Sequence, residues 1–368
     1  MSTGDQAADS PEEYRSGADR PRPRGGAGAE PVKPKDQLGR PLTDLRISVT
    51  DRCNFRCTFC MPAHRTYKFL PRPHILSFEE VIRLAGLFVD LGVRKLRLTG
   101  GEPLLRSEIE VLIAGLAAIP GVEDLALTSN AALLPGRADS LKRAGLDRVT
   151  ISLHSLDPAI FGRLNGLGFP LDRVLEGVRA AIDAGLGPVK LNVVVMKGVN
   201  DHEIVDLARY ARDVGAVVRF IEYMDVGTVN AWDPEGVVSA RQIIDTIDAE
   251  WPLEAVAAER PEDVANRYRY RDGGGEVGVI SSVTQPFCGD CSRARLSAEG
   301  KVFTCLFGAV GHDLKTPLRA GESDDEIRAR LVQLWRRRTD RYSEQRTADL
   351  KAGTFVPAEK VEMFRIGG

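Results

Sequence analysis

The feature that most limits the possible folds is a repeat of short apolar runs and longer amphipathic segments between residues 45 and 224. The short runs have the length and composition of buried strands, and the longer segments carry helix signals such as the capping box of Ser77 with Glu80. Serial β/α units predict parallel strands joined by right-handed crossovers, and therefore an α/β fold with an open sheet or a partial, TIM-like (β/α)6 barrel. The strands are predicted at 45–49, 95–99, 124–128, 148–153, 189–196 and 217–224.

Composition divides the chain into three regions. Residues 1–36 contain Val32 as their only Ile, Leu, Val or Phe, which is too little apolar surface to offset the entropy of ordering. We expect a disordered extension over 1–36, the barrel over 37–235, and a small C-terminal α+β domain over 236–368 that closes the barrel mouth. In that domain a helix is predicted over 324–338, and its last residues, Arg336, Arg337 and Arg338, are expected to face solvent and to complement the helix dipole.

Charge and cysteine usage exclude several functional classes. A net charge of −2 gives no overall basic field for a nucleic acid. No apolar run is long enough to span a membrane, and the N-terminus has no apolar core of a secretory signal. Six cysteines in two groups of three suit metal ligation in a reducing compartment better than disulfides. We therefore expect a cytoplasmic protein.

The first cysteine group directly follows the first predicted strand. Cys53, Cys57 and Cys60 have the spacing C-x3-C-x2-C, and functional groups of barrel folds gather at the C-terminal ends of strands. Three thiolates can hold an iron–sulfur cluster but leave one iron open, since such a cluster takes one thiolate per iron. A zinc loop, or a disulfide with a spare thiol, is the alternative from spacing alone.

Polar groups follow the other predicted strands. Gly101 and Glu102 close the second strand, where glycine permits close approach of a ligand and a carboxylate can accept from an ammonium group. Thr128 ends the third strand, Ser152 lies in the fourth and Met224 lies near the end of the sixth. Taken alone, these last three are best explained as core groups.

The second cysteine group, Cys288-x2-Cys291-x13-Cys305, exhausts the cysteines of the chain. A zinc ribbon would normally show a second C-x2-C pair, and His312 is the nearest candidate for a fourth zinc ligand. A second cluster with an open iron is the better interpretation, because a lone histidine is weak evidence for zinc.

Positive charge accompanies both groups. Arg293 and Arg295 stand two residues apart after Cys291, so on a strand both guanidinium groups point to one face and suit a multiply charged phosphate. A solvated strand face is the alternative. Charged residues also occupy predicted barrel strands, where they need a partner or a ligand; these are Lys95, Arg97, Lys190 and Arg219.

With these motifs the chain closely resembles the GTP 3′,8-cyclase (MoaA) family of molybdenum-cofactor biosynthesis, within the radical S-adenosylmethionine (SAM) superfamily. The resemblance runs from Leu38 to the end of the chain. It rests on the first cysteine motif with Phe59 before its last cysteine, on the segments 39–53, 98–106, 220–225 and 287–296, and on the terminal pair Gly367 and Gly368.

The resemblance implies a cyclase that uses two [4Fe-4S] clusters and SAM. Cys53, Cys57 and Cys60 would hold the SAM-cleaving cluster, and Cys288, Cys291 and Cys305 a second cluster that binds guanine. SAM would contact Phe59, Gly101, Glu102, Ser152 and Met224. GTP would contact Arg46, Lys95, Arg97, Thr128, Lys190, Arg219, Arg293 and Arg295, and the catalytic group would comprise Arg293, Arg295, Gly367 and Gly368.

The implied reaction is abstraction of the ribose C3′ hydrogen by a 5′-deoxyadenosyl radical, attack on guanine C8 and reduction to 3′,8-cyclised dihydro-GTP. The implied partners are a homodimeric second copy, an external electron donor and cyclic pyranopterin monophosphate synthase (MoaC), which would take the product. Two rivals stand beside this hypothesis. One is a radical SAM enzyme with an auxiliary cluster that acts on a peptide, which the arginine pair disfavours. The other is a non-enzymatic metal protein.

The chain departs from the family pattern at two positions. Alanine stands at 131 where the family has glycine, which disfavours a positive φ and predicts a different local turn. Histidine stands at 154 where the family has aspartate, and it is expected either to alter the polarity of the SAM site or to face solvent.

Overall fold

The computed structural model describes residues 33–258, 260 and 263–367. Its strands are β1 Asp44–Ser48, β2 Lys95–Thr99, β3 Asp124–Ser129, β4 Arg148–Ser152, β5 Lys190–Val195, β6 Val217–Glu222, β7 Leu253–Val256, β8 Asn266–Tyr270, β9 Glu276–Ile280, β10 Arg293–Leu296, β11 Lys301–Phe303 and β12 His312–Asp313. Its α-helices are α1 Phe78–Asp90, α2 Ile109–Ala117, α3 Ala138–Arg143, α4 Pro158–Asn165, α5 Leu171–Asp183, α6 Ile204–Asp213, α7 Ala240–Asp248, α8 Lys315–Arg319, α9 Asp324–Arg336, α10 Tyr342–Ala352 and α11 Met363–Ile366.

The first six strands pair in chain order, and every pair is parallel. Helices connect them, and the predicted capping box begins α1: the Ser77 hydroxyl accepts from the backbone N–H of Glu80, and the Glu80 carboxylate accepts from that of Ser77. The predicted partial (β/α)6 barrel is therefore confirmed, with strand ends within two residues of the predicted ones. In the part of the chain that the structure describes, the sheet has two free edges and does not close.

The C-terminal region extends this same sheet at both edges. β10 lies parallel to β1, and β9 lies parallel to β6, so that the order is β12-β11-β10-β1-β2-β3-β4-β5-β6-β9-β8-β7. The sequence analysis expected a domain that only closes the mouth of the barrel. No local pattern predicts the parallel pairing at either edge, because the paired residues are far apart in the chain: Asp44 pairs with Arg293, and Val218 pairs with Val277.

The two faces of the sheet differ in chemistry. Leu45 and Ile47 of β1, and Leu96 and Leu98 of β2, are at most 1% exposed and belong to the hydrophobic core. The residues between them point to the opposite face, because side chains alternate along a strand. That second face carries charged and hydroxyl groups and forms the interior of the barrel, where the functional site lies.

The N-terminal boundary needs a correction. Asp36 was assigned to the disordered extension, yet it is buried and accepts from the side chains of Arg40 (2.6 Å) and Arg338 (3.2 Å). Residues 33–35 of the predicted extension are also described, and Pro34 is buried, whereas residues 1–32 lie outside the described residues. Arg338 was expected in solvent and is 4% exposed, whereas Arg336 and Arg337 are exposed as expected. None of the helices in the described ranges is long and apolar enough to cross a membrane.

Candidate active site

One cavity inside the barrel brings both cysteine groups together. It is lined by all six cysteines and by seven arginines, of which five lie on four different strands. Phe59, Gly101, Glu102, Thr128, Ser152 and Met224 also line it, so most of the residues selected from the sequence meet in one space. The five arginines on strands are Arg46, Arg97, Arg219, Arg293 and Arg295, and the other two are Arg40 and Arg338.

The loop of the first triad is held against the glycines that end β2. The N–H of Gly101 donates to the carbonyl of Thr50, and a Cβ at Gly100 would come within 2.3 Å of that same oxygen. A Cβ at Gly101 would lie 2.2 Å from the carbonyl oxygen of Arg52. Glycine is required here because two backbone segments touch. The sequence predicts that glycine here permits close approach of a ligand. The structure shows that these glycines also contact the backbone of the loop that carries the cysteines.

The thiols of the first triad lie in a pocket that disfavours negative charge. Burial, reinforced by the nearby Glu102 carboxylate, raises the pKa of Cys53 to about 12. Burial also raises the pKa of Cys57 and Cys60, and each is raised further by the neighbouring cysteines. Such thiols become ligands when a metal supplies the compensating positive charge.

Glu102 ties the second and third strand ends together. It is 1% exposed, and its carboxylate accepts from the Leu104 N–H (3.0 Å), the Ser129 hydroxyl (2.9 Å) and the Asn130 N–H (2.8 Å). Burial raises its pKa to about 7. A carboxylate has about four acceptor positions, so one remains for a donor in the cavity.

His154 lies beside Phe59 rather than in solvent. The two rings meet edge to face with centroids 4.9 Å apart, and His154 Nδ1 accepts from the Val194 N–H at 3.2 Å. Burial lowers the pKa of His154 to about 4, so the ring is neutral at pH 7. The expectation that His154 faces solvent is wrong, and its imidazole forms part of the cavity wall.

The turn at Ala131 keeps a left-handed backbone despite its methyl group. Its φ is +63°, and it is fully buried. The predicted change of turn does not occur. The Ser129 hydroxyl accepts from the Ala131 N–H at 2.9 Å, and this hydrogen bond holds the conformation.

The second triad lies among arginines. Burial by itself would raise the pKa of Cys291, but Arg293 and Arg338 outweigh it and hold the pKa at about 6. Arg293 donates directly to Cys291 Sγ at 3.4 Å. Burial raises the pKa of Cys305 to about 11.

Two buried arginines that the sequence did not indicate donate hydrogen bonds to the backbone of the second triad. Arg40 donates to the carbonyl of Cys288 (2.7 Å), and Arg338 donates to the carbonyl of Cys291 (2.6 Å). Both also bond to Asp36. Arg40 lies in the family-like segment 39–53 but has no pattern of its own that marks it as a site residue. Arg338 follows the exposed Arg336 and Arg337 just after α9, and nothing in the sequence distinguishes it from them.

The arginines of the cavity stand side by side across three strands. Pairing aligns Arg46 of β1 with Arg97 of β2 on one side and with Arg295 of β10 on the other. Burial and the charges of Arg295 and Arg293 lower the pKa of Arg46 well below its usual range. Its Nε is buried and has no hydrogen-bond partner. An unpaired buried charge is costly, so this row is suited to an anionic ligand.

Hydroxyl and amide groups of neighbouring strands accept hydrogen bonds from Arg97 and Arg219. Arg97 donates to Thr128 (3.2 Å) and Thr150 (3.1 Å), while Arg219 donates to Asn192 (3.0 Å) and Thr150 (3.4 Å). Burial and neighbouring positive charges lower the pKa of each arginine to about 9. Thr150 and Asn192 were missed, although their alternation with outward-facing residues on β4 and β5 could have found them.

Two predicted lysines stand apart from the cavity wall. Lys95 is 3.8 Å from the carboxylate of Asp263, which gives its charge a partner within the chain. Lys190 lies deeper in the barrel, where burial and the positive charges around it, Arg219 first, lower its pKa to about 7.

The chain end reaches the cavity. Arg295 donates to the carbonyl of Gly367, which is buried with φ +73°. A Cβ at Gly367 would lie 2.1 Å from the Thr99 side chain, so only glycine fits there. Gly368 lies outside the described residues.

Comparisons with known proteins agree with this site. The family model of the Radical SAM superfamily matches residues 47–211, and that of Molybdenum Cofactor Synthesis C matches residues 216–344. A GTP 3′,8-cyclase of Acidothermus cellulolyticus is 52% identical over 91% of this chain and 99% of its own length. A GTP 3′,8-cyclase of Xanthomonas campestris is 50% identical over 91% of this chain and 97% of its own length. This chain belongs to the GTP 3′,8-cyclase family.

The fold of this GTP 3′,8-cyclase family member is similar to that of solved structures. SuiB of Streptococcus suis, bound to its precursor peptide SuiA, has a TM-score of 0.56 and 14% identity over 83% of this chain and 67% of that chain. SuiB bound to S-adenosylmethionine has the same TM-score over 85% of this chain. At such identity the likeness shows the fold alone.

Membership of this radical SAM family makes SAM and an iron–sulfur cluster the reactive pair of the enzyme. The first triad fits such a cluster: three partly buried cysteines line one cavity together with Phe59. No three His, Cys, Asp or Glu side chains of the described residues are close enough to hold one metal ion. A cluster needs a wider spread, because each cysteine binds a different iron.

Proposed function

We propose that the chain converts GTP into (8S)-3′,8-cyclo-7,8-dihydroguanosine 5′-triphosphate, the first step of molybdopterin biosynthesis. The observation that carries this proposal is the row of arginines in the cavity that both triads line, with the unpartnered Nε of Arg46 in it. Guanidinium groups bind phosphate oxygens in pairs, and a triphosphate brings the negative charge that this part of the barrel lacks.

In the proposed site, Cys53, Cys57 and Cys60 hold a [4Fe-4S] cluster. When bound there, the cluster supplies the electron that cleaves SAM and releases a 5′-deoxyadenosyl radical. Phe59, Gly101, Ser152 and Met224 hold SAM. Glu102 accepts from its ammonium group at the one acceptor position left by the three protein donors.

The second triad, Cys288, Cys291 and Cys305, holds a second [4Fe-4S] cluster with an open iron for guanine. Arg293 donates to the Cys291 sulfur and stabilises it as a ligand. Arg46, Arg97, Arg219 and Arg295 hold the triphosphate, with Thr128 fixing Arg97, so that the ribose lies between the two triads. Lys190 adds positive charge near these arginines. Lys95 contributes less to GTP binding, because its charge is paired with Asp263.

The chain end completes the substrate site. Gly367 lies beside Arg295, and the absence of a side chain there leaves room for the nucleotide. Gly368 is proposed to act with it. The residues thereby act mainly by placement: they bring the target C–H bond close to the radical and exclude water. We further propose that the enzyme is a cytoplasmic homodimer that takes electrons from an external donor and passes its product to cyclic pyranopterin monophosphate synthase.

Nucleotide binding by the anaerobically reconstituted protein tests the substrate. We expect GTP to bind with micromolar affinity, and guanosine to bind at least about 100-fold more weakly, because it lacks the phosphates that the arginines bind. A peptide that carries no phosphate serves as the negative control for binding. Equal binding of GTP and guanosine, or preferential binding of the peptide, would refute the assignment of GTP.

A further inference from the structure

His154, which lies just after β4, is a buried polar residue that the proposed reaction does not use. It is 8% exposed and lines the cavity near Phe59, whose ring it meets edge to face. Its backbone carbonyl accepts from the side chain of Asn200 at 2.6 Å. The backbone and the ring of His154 are therefore both held in place.

A hydrogen bond determines which ring nitrogen of His154 carries the proton. The backbone N–H of Val194 donates to His154 Nδ1 at 3.2 Å. Because Nδ1 accepts, it carries no proton, and the proton of the neutral ring lies on Nε2. Burial lowers the pKa of His154 to about 4, which keeps the ring neutral at pH 7. The imidazole thus offers a neutral N–H donor and not a cation.

This Nε2–H group lacks an acceptor within the protein. Over residues 33–258, 260 and 263–367, the hydrogen bonds of His154 are those with Val194 and Asn200, and neither of them uses Nε2. An N–H group in a mostly buried site is costly when it has no acceptor. A ligand in the cavity can supply the acceptor that the protein does not.

The cavity wall around His154 is mainly apolar. Val194 is aligned with Ile221 of β6, and both line the cavity. Arg219 stands two residues before Ile221, further from the end of β6. The other apolar side chains that line the cavity include Phe59 and Met224. A wall of this kind with one neutral donor suits an uncharged, flat group that carries acceptor atoms.

We infer that His154 Nε2–H donates to the adenosine moiety of SAM and thereby orients it beside the first triad. Adenosine is uncharged and has ring nitrogens and hydroxyl oxygens that accept, whereas the amino and carboxylate groups of SAM are charged. The aspartate that the family has at this position could accept from the Val194 N–H but has no hydrogen to donate when ionised. The inference rests on the SAM site of the proposed function and not on its GTP site.

Two substitutions separate the proposed donor from the hydrogen bond to Val194. The amide of His154→Asn reaches about as far as Nδ1, so it can accept from Val194 but puts no donor at Nε2. The amide of His154→Gln reaches about as far as Nε2 and restores the donor, but it loses the bond to Val194. Both variants lose the ring contact with Phe59, so the difference between them reports the donor. His64→Asn, at an exposed position, is the matched control.

Equilibrium binding to the anaerobically reconstituted protein, without a reductant, measures the effect while SAM stays intact. The ligands are SAM and 5′-methylthioadenosine, which keeps the adenosine moiety but lacks the amino acid. We expect His154→Asn to bind both ligands about tenfold more weakly than the parent chain. His154→Gln and His64→Asn should bind both within about threefold of the parent, and GTP should bind equally to all four proteins. Iron content and urea unfolding are recorded for each protein.

Each contrary outcome has a distinct meaning. Unchanged affinity in His154→Asn, or an equal loss in His154→Gln, would overturn the role of the donor and leave the SAM site of the proposed function intact. Weaker binding of SAM with unchanged binding of 5′-methylthioadenosine would assign the donor to the amino-acid part and overturn the adenosine contact. Failure of the parent chain to bind SAM would overturn the SAM site and this inference with it.

Discussion

The two cysteine triads have the same composition but opposite electrostatic surroundings. Around the first triad, burial and the Glu102 carboxylate raise the pKa of Cys53 to about 12. Around the second, Arg293 and Arg338 overcome burial and hold the pKa of Cys291 at about 6. The sulfur ligands are alike, and the difference comes from the groups placed around them.

This contrast fits a division of labour. The reduction potential of an iron–sulfur cluster depends on net charge, on hydrogen bonds to its sulfurs and on solvent exposure. A pocket in which burial and the Glu102 carboxylate outweigh the nearby Arg56 favours a low potential, which the reductive cleavage of SAM requires. A pocket lined by arginines favours binding of an anionic substrate. The first triad is thus suited to electron transfer, and the second to holding the nucleotide.

Removing one cysteine from each triad is the strongest test of this division. Cys57→Ala is expected to reduce formation of 5′-deoxyadenosine by at least about 1,000-fold, because SAM cannot then be reduced. Cys291→Ala is expected to retain slow SAM cleavage but to yield no cyclised nucleotide. Both products are measured by liquid chromatography, with iron content as the control for each variant. Equal loss of both products in the two variants would contradict the division.

Thiol reactivity in the metal-free protein tests the electrostatic contrast itself. Only the thiolate reacts, so alkylation of Cys291 should rise through about pH 6 and be constant above it. Alkylation of Cys53 should still be rising towards pH 12. At pH 7 we expect Cys291 to react roughly 100- to 400-fold faster than Cys53, because its larger thiolate fraction outweighs the lower nucleophilicity of a low-pKa thiolate. Peptide mass spectrometry after short iodoacetamide pulses gives both rates, and similar rates at pH 7 would contradict the contrast.

The arginine row predicts an intermediate effect. Arg46→Ala is expected to raise the KM for GTP by roughly 30- to 100-fold with little change in the KM for SAM, because a buried charge contact to phosphate is lost. Arg241→Ala, whose side chain is 83% exposed on α7, is the matched control and should behave like the parent enzyme. A similar rise in both KM values would point to a general defect of the fold.

The smallest effect is expected at Ala131, beside the first triad. In Ala131→Gly, relief of the left-handed backbone (about 1 kcal/mol) and loss of a buried methyl group (about 0.8 kcal/mol) nearly cancel. The free energy of unfolding should therefore change by less than about 1 kcal/mol. Ala132→Gly loses a methyl group without that relief and should cost about 1.5 kcal/mol. Urea unfolding of both variants checks this, and a larger loss for Ala131→Gly would refute it.

Local patterns predicted much of this site. The cysteine spacings, and the alternation that turns Arg293 and Arg295 to one face, are properties of neighbouring residues, and both led to the cavity. The six strands were found because buried strands and amphipathic helices have different periods.

Contacts between distant residues could not be predicted. Asp36 and Arg338 meet across 302 positions, and Asp225 and Lys360 across 135. Such pairs depend on how the C-terminal region joins both edges of the sheet, which no local period encodes. The prediction that alanine at 131 changes the local turn was wrong for a related reason. Burial and the hydrogen bond to the Ser129 hydroxyl hold Ala131 at a positive φ that alanine disfavours.

The production of 5′-deoxyadenosine with and without GTP tests the central claim most directly. Both clusters are reconstituted anaerobically, dithionite and SAM are added, and the nucleoside is measured. If the first triad generates a radical for a nucleotide held at the second, GTP should raise the yield by at least about tenfold. The same yield without GTP, or no 5′-deoxyadenosine from protein with both clusters intact, would contradict the account.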